Sequence, residues 1–189
     1  MCSMSQTDLP TIRHLWCLIY ILNYPKIMIK IYIGIDIGSE GAISVLRDGQ
    51  IDEIYKMPWA ILSRRNSLDV DAFFTLMMDI CNTYDPSTIM VERASMHLQS
   101  QKVASSMWFS YGLLLSVIKR TGVRYIELDN KKWQKEFSIK GDTKKQSISV
   151  CESLFPSLEL RFEKQNKTTK NHNISDAVLI AEYGRRLNL

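Results

Sequence analysis

Ile31-Tyr32-Ile33-Gly34-Ile35-Asp36-Ile37-Gly38 is the stretch that decides the architecture. Its β-branched, nearly continuous apolar run predicts a strand buried on both faces. Gly38 and Gly41 then mark a turn, Ala42 to Leu46 resumes the strand pattern, Asp48-Gly49 carries a hairpin signal, and Ile51 to Met57 gives a third strand. Three strands joined by turns this tight form an antiparallel meander.

Beyond the meander the pattern alternates. Asp69 is placed to cap a helix over Val70 to Cys81, with Phe73, Leu76, Met77 and Ile80 on one stripe, and Asp85-Pro86 stops it. Ser87 to Glu92 predicts a short buried strand, Lys102 to Arg120 a long helix ended by Gly122, and Val123 to Leu128 a fifth strand. Asn130 and Thr143 stand where caps belong, before helices over Lys131–Phe137 and Lys144–Leu154. Pro156 to Thr169 is polar, basic and aperiodic, a loop. A final helix over Asn173 to Leu187 carries Ala177, Ile180, Ala181 and Gly184 on a small-residue face. The expected fold is α/β: a mixed five-stranded sheet, three antiparallel strands and then parallel ones, flanked by helices.

Nothing in the bulk numbers opposes a single packed domain. The 189 residues suffice for one core, and 46% hydrophobic with 23% charged residues sets disordered and membrane classes aside. Lys and Arg number 24 against 20 Asp and Glu, an excess that permits a nucleic-acid partner without demanding one. Cys2, Cys17, Cys81 and Cys151 are too scattered for a metal knuckle or redox pair, so reduced thiols are expected and zinc is not implied. The apolar run Leu15 to Leu22 is far shorter than the ~20 residues of a membrane span, and it lacks the basic start and cleavage site of a signal peptide. Residues 1–28 are expected to be an extension upstream of a domain over 29–189, with Met28 a candidate alternative start; the alternative is a short helix packed on the domain.

Three acids stand at element ends. Asp36 closes an otherwise apolar strand, where a carboxylate is costly unless paired, hydrogen-bonded or metal-bound. The plain alternative is a turn residue capping the Gly38 loop. Glu92 repeats the oddity at the end of the fourth strand, and its plain alternative is a salt bridge with Arg93. Asp176 is read in the first turn of the last helix, where the dipole alone would favour an acid. Together the three could converge, and their repulsion would then call for cations. Oxygen ligands without cysteine select Mg2+, with Mn2+ as substitute. Two such ions ~3.5–4 Å apart activate water and stabilise the leaving oxygen in phosphodiester hydrolysis.

Gly34-Ile35-Asp36-Ile37-Gly38, Val91-Glu92-Arg93 and Ser175-Asp176-Ala177-Val178-Leu179-Ile180-Ala181 resemble the motifs of RuvC-type Holliday junction resolvases, in particular the phage and organellar branch of that ribonuclease H-like group. Met57-Pro58, Gly141-Asp142-Thr143-Lys144-Lys145, Leu154-Phe155-Pro156 and Glu182-Tyr183-Gly184-Arg185-Arg186 extend the likeness from about Ile31 to Arg186. The resemblance implies a crossover junction endodeoxyribonuclease in which Asp36 bridges two metals, Glu92 ligates one and Asp176 the other. Where the family commonly has an acidic or histidine ligand one turn before the last Asp, this chain has Asn173, a weaker ligand, with His172 beside it as a substitute. The resemblance also implies that Lys144 touches the scissile phosphate, with Lys145 and Lys102 on DNA. It implies further that Met96, His97 and Gln99 form a loop reaching into the junction.

Lys131 to Lys170 holds ten basic against five acidic residues, an excess larger than that of the whole chain, which suits a phosphate backbone. The family resemblance makes the helix Lys102–Arg120 a homodimer contact, matching the two-fold symmetry of a four-way junction. The location it implies is the cytoplasm of a bacterial or phage-infected cell, with no membrane partner. Three rival readings accompany this one: a same-fold nuclease acting on structured RNA, a catalytically weak junction-binding protein motivated by Asn173, and an actin-like or sugar-kinase-like ATP-binding protein. The last needs a second lobe and phosphate loop, and only Asp36-Ile37-Gly38 is present.

Overall fold

The structure, a computed structural model, describes residues 29–62, 65–94, 100–162 and 170–189. Strands β1 (Ile31–Asp36), β2 (Ala42–Arg47) and β3 (Gln50–Lys56) form the expected meander, β1 and β2 antiparallel with Asp36 opposite Ala42. Asp48 and Gly49 both take positive φ, 49° and 78°, which is the backbone a two-residue hairpin with right-handed twist requires. β6 (Thr88–Glu92) and β7 (Tyr125–Leu128) then add in parallel on the other side of β1, giving the order β3-β2-β1-β6-β7. The mixed five-stranded sheet stands as expected. A two-stranded hairpin, β4 (Trp59–Leu62) with β5 (Arg65–Leu68), lies between β3 and the first helix and was not foreseen in the sequence.

Five helices flank the sheet: α1 (Val70–Tyr84), α2 (Gln101–Arg120), α3 (Asn130–Glu136), α4 (Thr143–Leu154) and α5 (His172–Arg186). Asp69 caps α1 as expected, accepting from Ala72 N–H, and the helix runs on to Tyr84 before Asp85 takes a left-handed conformation. The caps of α3 and α4 are Asp129 and Asp142, one residue before the expected Asn130 and Thr143, because each Asp side chain reaches the N–H two or three residues on. α5 starts at His172 with Asn171 as its cap, so Asp176 is not in the first turn. The dipole explanation of Asp176 therefore falls away.

Strand alternation sorts the core onto two faces. Ile31, Ile33, Ile35, Ile43, Val45, Ile89 and Val91 pack with α1, α2 and Leu68 of the hairpin. Tyr32, Ala42, Leu46, Met90 and Leu128 pack with α3, α4 and α5 on the other. α5 can lie close because the residues beneath it are small. A Cβ at Gly34 would fall 2.1 Å from the Ala177 carbonyl oxygen and 2.6 Å from Ala181 N. Buried Ser44 donates its hydroxyl to the same carbonyl at 2.8 Å. The small-residue face foreseen on the last helix is thus the face that meets β1. Among the described residues no helix is long and apolar enough to cross a membrane, and Cys81 and Cys151 are free thiols.

Candidate active site

Period-two alternation aims two of the three acids at one place. Asp36 follows Ile35, and Glu92 follows Val91. Ile35 and Val91 are register partners in adjacent parallel strands and both face α1 and α2. One residue further on, both carboxylates leave the sheet at its C-terminal edge on the opposite face, where α5 packs. Asp176, one residue before the Ala177 carbonyl that sits over Gly34, comes from α5 to the same edge.

Electrostatics reports the convergence. Burial pushes the Asp36 carboxyl well above the usual range, and the charges of Glu92 and Asp176 push it further. Burial and then Asp176 carry Glu92 up to about 7, with Asp129 adding to the rise. Asp176 also rises to about 7 through burial, against the opposing pull of the Ser147 hydroxyl and the Lys144 ammonium. Each acid is half-buried. The plain alternatives for two of them fail. Arg93 leans toward Glu127, Nε to Oε2 at 3.9 Å, and not toward Glu92. The Gly38 turn closes by its own backbone, Gly41 N–H to Gly38 O at 3.0 Å, and the Asp36 side chain makes no hydrogen bond or ion pair among the described residues.

Lys144 stands exposed in the first turn of α4, close enough to lower both Asp176 and His172. His172 is half-buried, and desolvation followed by the Lys144 charge depresses its pKa, so its imidazole is neutral at pH 7. Asn173 is also half-buried, and its amide nitrogen donates to Asn171 Oδ1 at 3.0 Å. Lys145 points away, 88% exposed and paired with its own cap Asp142 at 3.4 Å. Lys102 is exposed in the first turn of α2. Met96, His97 and Gln99 lie outside the described residues.

Two neighbours of the site carry no motif. Buried Ser147, one turn after Lys144, bears on Asp176, and its hydroxyl also lies 3.2 Å from the Lys144 carbonyl. Buried Trp133 turns its indole N–H toward Glu92, though without a hydrogen bond of normal length. The i,i+3 spacing from Lys144 is the one sequence signal that could have found Ser147; Trp133 looks like any core aromatic.

The donor set is all oxygen, anionic and desolvated, which suits a hard divalent cation. Among the described residues no group of three or more His, Cys, Asp or Glu side chains is arranged to hold a metal ion as it stands. Ligation would therefore need these carboxylates to draw closer together around the ion.

No protein-family model matches the sequence, and no curated protein does. Solved structures do. Thermus thermophilus RuvC superposes with a TM-score of 0.58 at 14% identity, covering 84% of this chain and 96% of that one. The same protein in complex with a Holliday junction substrate gives 0.55 at 12% identity over the same shares. The chain has the RuvC fold. The yeast mitochondrial Holliday junction resolvase Ydc2 gives 0.51 at 13% identity, covering 89% of this chain and 83% of that one. At these identities the likeness to RuvC lies in the ribonuclease H-like architecture, the arrangement expected from the motifs.

Proposed function

We propose that this chain is a structure-selective DNA endonuclease that resolves Holliday junctions or related branched DNA by metal-dependent phosphodiester hydrolysis. One observation carries the reading: Asp36, Glu92 and Asp176, from three separate elements, come to one sheet edge, where the charges of Glu92 and Asp176 raise Asp36 and that of Asp176 raises Glu92. The same fold occurs in a protein solved with a Holliday junction substrate, which supports DNA over the other ligands of this architecture.

Asp36, Glu92 and Asp176 would hold two Mg2+ or Mn2+ ions, with Asn173 or His172 completing the set. Bound there, such ions supply an activated water and neutralise charge on the leaving oxygen. The chain's own groups do the rest. Lys144 presents its ammonium beside Asp176 at a helix start, where backbone N–H groups also favour an anion, and so positions the scissile phosphate. Neutral His172 offers a ring nitrogen that can take a proton near that phosphate. Lys131, Lys132, Lys135 and Lys140 are exposed along α3 and the turn after it, and they suit a DNA arm. The outward side of α2 suits a second copy of the chain: Phe109 is 57% exposed and a Cβ at Gly112 would meet nothing within 4 Å. Sedimentation of the wild type against Phe109→Glu tests that contact; an unchanged mass would refute it.

The deciding assay incubates purified protein and Mg2+ or Mn2+ with a synthetic four-way junction, linear duplex and structured RNA. Paired nicks in the junction alone support the reading. A second reading, a junction-binding protein without catalysis, is favoured by neutral Asn173 in a ligand position, and tight binding without nicks would establish it. Cutting confined to RNA would replace both.

A further inference from the structure

Trp133 is 1% exposed, and its indole N–H is buried without a hydrogen-bond partner. A buried donor left unpaired is costly, so its retention asks for a reason. Two other buried polar side-chain atoms share the condition among the described residues. Trp59 Nε1 belongs to the hairpin β4–β5, and Ser175 Oγ faces the Cys151 thiol. Trp133 Nε1 faces the Glu92 carboxylate.

The helix that carries Trp133 is fixed at both ends. Asp129 caps α3 by accepting from Lys131 N–H at 2.9 Å. At the other end the Arg186 guanidinium of α5 lies 4.7 Å over the Phe137 ring and 3.9 Å from Glu136. Arg186 is itself held by buried Glu182 at 2.9 Å. α3 is therefore locked to the helix that supplies Asp176. The indole is held at a set position behind Glu92, whose terminal torsion is otherwise soft.

Building on the proposed metal site, we infer that Trp133 is a positioning residue: its indole N–H closes a hydrogen bond to one Glu92 oxygen when the other turns to a divalent cation. A donor behind a ligating carboxylate fixes its orientation, and loss of such outer partners typically costs about 10–100-fold in metal affinity. Trp133 touches neither cation nor DNA in this account. Its effect passes through Glu92 alone.

Calorimetric titration with Mn2+ tests this on the full-length protein, as wild type, Trp133→Phe, Glu92→Gln and the double variant. Trp133→Phe keeps a ring in the core and removes the donor. It is expected to bind Mn2+ about 10-fold more weakly, and to add no further loss in the Glu92→Gln background. In nicking assays the half-saturating metal concentration should rise while the rate at saturation stays near wild type. Equal Mn2+ affinity in wild type and Trp133→Phe overturns the inference and leaves the metal site standing. A wild type that binds no Mn2+ overturns both. If Trp133→Phe does not fold, the wild-type indole 15N–1H signal of Trp133 serves instead, assigned by substituting Trp16, Trp59 and Trp108 in turn. On adding Mg2+ it should move downfield and exchange more slowly with water; a signal unmoved at saturation refutes the hydrogen bond.

Discussion

Replacing Glu92 by Gln should make the metal-free protein more stable at pH 8, and the gain should vanish on acidification. The magnitude follows from the site. Burial and the Asp176 charge lift Glu92 from an ordinary 4.5 to about 7, and each tenfold change in proton affinity is worth about 1.4 kcal/mol. The sign is fixed by the direction. A carboxyl held above its ordinary value favours the folded state while protonated, so its penalty is absent below pH 4.5, grows between 4.5 and 7, and is complete above 7. At pH 8 the penalty is about 3 kcal/mol, and at pH 5 it is under about 1 kcal/mol. Gln keeps the shape and removes the charge. In chelator at pH 8 its Tm should exceed that of wild type by about 6–12 °C for a domain of this size, narrowing to about 1–4 °C at pH 5. Added Mg2+ should reverse the order at pH 8 once it is well in excess: at about a thousand times its Kd it stabilises wild type by about 4.1 kcal/mol, more than the penalty, and stabilises the variant far less. Thermal melts at both pH values, with chelator and with Mg2+, measure all of this. A variant less stable than wild type in chelator at pH 8, or an advantage equally large at pH 5, would refute a repulsive, desolvated cluster.

Asp36→Asn should abolish junction nicking while leaving junction affinity within about twofold, since charge and not shape is removed; comparable nicking would dismiss Asp36 as a ligand. Lys144→Ala should lower the single-turnover rate by about 100-fold with a smaller change in Kd, and an unchanged rate would mark Lys144 as merely solvated. Gly34→Ala forces a methyl against the Ala177 carbonyl and Ala181 N, so urea unfolding should show a loss of at least about 2 kcal/mol. An unmoved midpoint would contradict the close approach of α5 to β1.

The strands and the three acids were legible because they depend on local rules. Period two alone predicts that Asp36 and Glu92 leave the sheet on one face, once their strands are parallel neighbours. The β4–β5 hairpin was not legible: four residues a strand after Pro58 give too short a pattern to count. The caps at Asp129-Asn130 and Asp142-Thr143 offered two good capping residues side by side, and only the reach of each side chain to its N–H decides between them. Asp176 was misplaced by the same kind of margin, because Asn171 starts the helix earlier than the pattern implied. Trp133 became visible only in three dimensions, and Ser147 had only its i,i+3 spacing from Lys144 to mark it. Their relation to Glu92 and Asp176 arises from how α3 and α4 dock on the sheet, which no spacing along the chain encodes.

The proposed metal site is tested most directly by diffraction from crystals soaked in Mn2+, with anomalous differences locating the ions. Two peaks roughly 3.5–4 Å apart, bridged by Asp36 and flanked by Glu92 and Asp176, are the expected result. Well-ordered crystals at saturating Mn2+ with no peak at this sheet edge, or with ions bound only elsewhere, would contradict it.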